Sequence, residues 1–74
     1  MATTHTIDAK GLRCPQPILQ IILKLPQIHD GDLLVVSADC ESFEDDIRRW
    51  CTRMDKTLLG LNTSGTAVTA QIQF

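Results

Sequence analysis

The chain has 74 residues, 43% of them apolar and 22% charged, with a net charge of −2 and three cysteines. A domain of this size buries only about 60% of the surface its unfolded chain exposes, so a site on the rim is expected rather than an enclosed pocket. The weak negative charge gives no reason to expect broad nucleic-acid or acidic-membrane binding.

Thr4 to Asp8 alternates polar and apolar residues and predicts a short first strand. Ala9 to Arg13 is a loop, and Pro15 to Leu25 predicts a helix. In that helix Ile18, Ile22 and Leu25 form the expected buried stripe, with Ile21 beside it, while Gln16, Gln20, Lys24 and Gln27 face water. Leu23 lies beside the polar stripe and Leu19 at its boundary, where some apolar surface is open to a partner or simply edges the core. Pro26 ends the helix, and Asp30-Gly31 signals a turn.

Leu33 to Ala38, a continuous apolar run, predicts a central strand. Ser42 is placed to cap a second helix, with Asp45 three residues on as in a capping box. Phe43, Ile47, Trp50, Cys51 and Met54 share one face of it, and Glu44–Arg48 and Asp45–Arg49 are i,i+4 pairs. Thr57 to Asn62 and Thr66 to Phe74 predict a closing hairpin. The order is β-α-β-α-β-β. A right-handed crossover makes the first two strands parallel. The fold expected is therefore an α/β two-layer sandwich, a mixed four-stranded sheet with two helices on one face, as a single domain over residues 1–74. No signal peptide is evident in MATTHTIDAK, and the longest mainly apolar stretch, Ile18 to Leu25, is far too short to span a bilayer. The cytoplasm is the expected location.

The stretch Gly11-Leu12-Arg13-Cys14-Pro15-Gln16-Pro17 carries the chemistry. With Cys14 as the helix N-cap, Pro15 takes the first helical position, where its missing N–H costs nothing, and Pro17 the third. The Gln16 N–H is then the donor aimed at the cysteine sulfur. The helix N-terminus carries roughly +0.5 of an elementary charge, and Lys10 and Arg13 add positive potential, so a thiolate at Cys14 is favoured. Cys51 lies among apolar helix residues and is expected in the core. Cys40 sits between Asp39 and Glu41, which disfavour its thiolate, and reads as an unreactive loop cysteine. No CxxC occurs, so zinc-site and thioredoxin-type motifs both lack support. No metal and no cofactor are expected.

Asp8, Gly11, Cys14, Pro15 and Pro17 make a D-x-x-G-x-x-C-P-x-P signature, followed by the Gly31 turn, Asp39, and Asp46-Ile47-x-x-Trp50-Cys51. In these residues, and over nearly its whole length, the chain resembles the TusA/SirA-like small sulfur carriers. The resemblance implies that Cys14 accepts a sulfane sulfur as a persulfide and passes it to a partner protein. It implies a carrier rather than a turnover enzyme on a small substrate, with Asp8, Gly11, Arg13, Pro15, Gln16 and Pro17 as motif or persulfide-stabilising residues. The implied donor is a rhodanese or cysteine desulfurase type of protein, and the implied acceptor a DsrE-like protein. Gln16 fills a position that is often acidic in the family's tRNA-thiolation members, so dissimilatory sulfur oxidation, tRNA thiolation and molybdenum-cofactor supply all stay open. Two other readings compete. One is an RNA-binding or regulatory interaction module without thiol chemistry. The other is a thiol-redox protein pairing Cys14 with Cys40 or Cys51.

Overall fold

The computed structural model describes residues 3–13 and 16–74. Seven elements follow in order: strand β1 (Thr4–Asp8), helix α1 (Gln16–Lys24), a 3-10 turn (Leu25–Gln27), strand β2 (Leu33–Ala38), helix α2 (Phe43–Arg53) and strands β3 (Thr57–Ser64) and β4 (Ala67–Gln73). The expected β-α-β-α-β-β order holds. The sheet runs β1-β2-β4-β3, with β1 parallel to β2 and both other pairings antiparallel.

Strand β2 lies between β1 and β4, as its apolar run predicts, but its burial alternates. Leu34, Val36 and Ala38 are buried, and Leu33, Val35 and Ser37 are half-buried. With Ile7, Ala70 and Ile72 they floor the core, which Ile21, Phe43, Ile47, Trp50 and Cys51 cover from the helices. On the other face Ser37 and Thr69, cross-strand partners, share a hydroxyl hydrogen bond of 3.1 Å.

Strand β3 shows how a bulge corrects a pattern. Leu58 pairs with Ile72 and Leu61 with Ala70, both buried partners, yet the two leucines are three residues apart. Strict alternation would send them to opposite faces. The register shift between Leu58 and Gly60 absorbs one residue, Leu59, which is left exposed, and both flanking leucines then pack on the core.

Helix α1 is rotated from its expected setting. Pro17 and Ile21 are buried, with Ile18 and Leu25 half-buried, whereas Ile22 is 46% exposed alongside Leu19 and Leu23. Pro17 is the reason: the first turn seats its ring in the core, and Ile21, four residues on, inherits that face. The α-helix stops at Lys24, and Pro26 falls inside the 3-10 turn that continues from it.

In α2 the acids Glu44, Asp45 and Asp46 fill the first turn and Arg53 the last, a polarity that suits the helix dipole. The capping box does not form. Ser42 stands at the N-cap, but its hydroxyl donates to Asp46 Oδ2 at 3.1 Å, one turn along, and makes no cap bond. Glu44–Arg48 pairs at 3.7 Å, while Asp45–Arg49 is absent from the ion pairs of the described residues. The helix ends in a Schellman arrangement, with Lys56 N–H on Cys51 O and Asp55 N–H on Thr52 O and Asp55 at positive φ. The chain turns away there, which leaves Met54 41% exposed rather than on the buried face.

At the N-terminal ends of β1 and β2, the buried Asp32 gathers the chain. Its carboxylate accepts the N–H groups of Thr3 and His29 at 3.0 Å each and meets His5 Nε2 at 2.8 Å. Its own carbonyl accepts from Phe74 N–H and Gln73 Nε2, which binds the end of β4 to the same point.

Candidate functional site

The two parallel strands leave the sheet side by side at the end opposite Asp32. Ala9 N–H donates to Ser37 O at 2.7 Å, and Gly11 N–H donates to Asp39 Oδ1 at 2.9 Å. These bonds hold the loop after β1 against the loop after β2. Gly11 has φ +87°, a conformation that a side chain disfavours, and a Cβ there would meet nothing within 4 Å. The demand for glycine is therefore conformational. Gly11→Ala is expected to cost about 1–2 kcal/mol, read as a lower denaturation midpoint with an unchanged slope.

Between the two loops lies an open depression of ≈ 730 Å³. Gly11, Leu12 and Arg13 line it from one side and Asp39, Cys40, Glu41, Ser42 and Asp45 from the other. It is a shallow feature of the rim rather than an enclosed cavity. Ligand sites at the carboxyl ends of parallel strands follow the same logic in larger sheets.

Of the expected site residues, Gly11 and Arg13 line this depression, and Asp8, Gln16 and Pro17 do not. Asp8 ends β1, and its carboxylate accepts the Lys10 N–H at 3.2 Å, which turns the chain toward Gly11. Arg13 is exposed on the wall of the depression. Gln16 is the first residue of α1, and Pro17 is buried beneath it. Cys14 and Pro15 lie outside the described residues, so the cap expected at Cys14 does too.

Two expectations change. The Gln16 N–H, expected to be aimed at the cysteine sulfur, donates to the Arg13 carbonyl at 2.8 Å. That donor is therefore used within the backbone. The positive potential expected from Lys10 and Arg13 is also opposed, because Asp39, Glu41 and Asp45 face Arg13 across the depression.

The other cysteines separate clearly. Cys51 is free and buried, as its apolar neighbours predict, and burial pushes its thiol pKa up. Cys40 is disulfide-bonded, which corrects its reading as an unreactive loop residue. His5 offers no help at this end of the sheet, because its Nε2 is taken by Asp32 at the other.

Residues 5–73 match the family described as Sulfurtransferase TusA. The chain belongs to the TusA sulfurtransferase family. The TusA match covers nearly the whole chain, so the described fold is the family's domain and sulfur carriage is its role. TusA-family proteins pass sulfur to partner proteins, and the exposed depression lies open to such a contact. Among the described residues no His, Cys, Asp and Glu cluster could hold a metal ion, and no helix is long and apolar enough to cross a membrane.

What reading the residues alone missed is the far wall. Cys40, Glu41, Ser42 and Asp45 join the site only through the pairing of β1 with β2. The signal was available in the crossover itself, since a parallel pair brings its two C-terminal loops together.

Proposed function

We propose that Cys14 is the sulfur-carrying residue, that it holds the sulfur as a persulfide, and that it delivers it to a partner protein in the cytoplasm. The observation that carries this reading is the TusA match across residues 5–73, with Cys14 at the cysteine of the CPxP signature. In loading, the Cys14 thiolate attacks the outer sulfur of a donor persulfide. A new S–S bond forms on Cys14, and the donor cysteine leaves as a thiolate. In delivery an acceptor thiolate attacks the outer sulfur on Cys14, and Cys14 leaves in turn. Both steps follow the rules of thiol–disulfide exchange.

Two features support the placement. In the sequence, Cys14 falls between Arg13, which lines the depression, and Gln16, the first residue of α1. The positive end of the α1 dipole favours an anion there, whether thiolate or persulfide. The strip of exposed Leu19, Ile22 and Leu23 on α1 starts within one turn of that end and suits contact with a protein partner. A rhodanese or cysteine desulfurase type of donor and a DsrE-like acceptor fit these steps. Sulfur oxidation, tRNA thiolation and molybdenum-cofactor supply are each compatible with them.

Incubation with polysulfide, followed by intact mass measurement, tests the reading. The wild type is expected to gain the mass of a sulfur atom, and Cys14→Ser is expected to gain none. No gain on the wild type, or equal gain on both, overturns it.

A further inference from the structure

Helices α1 and α2 touch on the helical face of the sheet, and a shallow groove of ≈ 180 Å³ lies between them. Ile18 lines it from α1, and Asp46, Arg49, Trp50 and Arg53 line it from α2. Its floor is apolar, with Trp50 buried and Ile18 half-buried. The α1 side stays apolar beyond the groove. Ile22 follows Ile18 by one turn, and Leu19, Ile22 and Leu23 are all exposed. Helix α1 carries no acidic residue, and its one charge is Lys24.

The α2 side is cationic. Among the described residues Arg48 has Glu44 as an ion-pair partner, whereas Arg49 and Arg53 have none. These two stand one turn apart on the helix, and both are exposed. Asp46, the acid of the groove, accepts the Ser42 hydroxyl at 3.1 Å, toward the start of the helix. An apolar strip beside unpaired charge of one sign calls for a partner that carries apolar surface and the opposite charge together.

We propose that this surface docks an amphipathic helix of a partner protein, with its apolar face on Leu19, Ile22 and Leu23 and its acidic side chains on Arg49 and Arg53. Residues three and four apart on α1 form the ridges against which a packed helix fits. Acids at the same spacing on the incoming helix reach both arginines. A second copy of this chain matches poorly, because a two-fold contact sets the cationic patch against itself. That the partner is a sulfur donor or acceptor rests on the carrier reading above; the surface and its charge do not.

Trp50 is the single tryptophan of the chain and lines the groove, so its fluorescence reports binding there. The test titrates wild type, Arg49→Glu/Arg53→Glu and Arg49→Lys/Arg53→Lys with a pair of tryptophan-free helical peptides. Both peptides carry the same leucine stripe, flanked by glutamates in one and by lysines in the other. The acidic peptide is expected to shift the Trp50 emission of the wild type saturably, and less so as salt rises. Its binding is expected to weaken about tenfold in the charge-reversed variant, which should instead prefer the basic peptide. The lysine variant is expected to keep the preference of the wild type. No saturable shift, equal affinity of the wild type for the two peptides, or equal binding by the wild type and the charge-reversed variant overturns the proposal. A dimer in sedimentation analysis that the acidic peptide competes away assigns the surface to a second copy and overturns it too, as does an oligouridylate that displaces the peptide. Polysulfide loading, followed by intact mass on the same proteins, is expected to be equal in all three. Acidic-peptide binding without sulfur gain on any of them overturns the carrier reading and supports the docking surface.

Discussion

Phe43→Ala is expected to remove a large part of the stability of the domain. Phe43 is the first residue of α2 and is fully buried, the largest such side chain in the core. Truncating a buried phenylalanine costs about 3–5 kcal/mol, part in lost transfer energy and part in the cavity left behind. At roughly 0.05–0.15 kcal/mol per residue, a chain of this length has on the order of 4–11 kcal/mol in total. The loss is thus a large fraction of the whole. The Phe43 backbone N–H also donates to Cys40 O at 3.1 Å, so the start of α2 that this side chain holds to the core is tied to the loop forming the far wall of the depression. Urea unfolding followed by circular dichroism checks the result. Leu59→Ala, at the exposed bulge of β3, is the control and is expected to change stability by no more than about 0.5 kcal/mol. Equal midpoints for the two variants would show that the core is not organised around Phe43.

The second large effect is acid unfolding through Asp32. The N–H groups of Thr3 and His29, and then the His5 ring, hold the Asp32 carboxyl well below the usual carboxylate range. In the unfolded chain the same group titrates near about 3.9. Above that value the carboxylate contributes its full stability. As pH falls below it, the unfolded chain takes up the proton first, and the contribution is lost progressively down to the folded pKa. Asp32→Ala leaves Thr3, His29 and His5 without their acceptor at every pH, so it is expected to lower stability at neutral pH and to flatten the acid limb. Denaturation midpoints measured from neutral pH down to strong acid check this. A variant whose midpoints fall with acid as steeply as the wild type's would show that other groups set the limb.

Much of this fold was legible because pattern and topology agreed. The alternation in Thr4 to Asp8 and Val68 to Phe74, the run Leu33 to Ala38, and the crossover rule suffice for the sheet. The face of α1 was not legible, since Ile18, Ile21, Ile22 and Leu25 offer two nearly equal stripes and burial of Pro17 decides between them. The bulge at Leu59 was hidden for a related reason: two adjacent leucines before a glycine do not say which one turns inward. The role of Asp32 was not legible because two of its three partners, His5 and Thr3, are 27 and 29 residues away. At the site, the motif pointed to the near wall but not to Cys40. Local sequence showed only its acidic neighbours, and the parallel pairing of β1 with β2 placed it in the depression.

The strand order has a consequence for biosynthesis. Strand β4 leaves the ribosome after the other three, yet it occupies an interior place between β2 and β3. Until it emerges, β2 has an unpaired edge and β3 has no neighbour at all. The fold is thus completed only once β4 has been made, and Cys14, near the start of the chain, spends that interval outside any finished domain. Nascent chains stalled before β4 should therefore be the form most exposed to thiol oxidation and to chaperone capture.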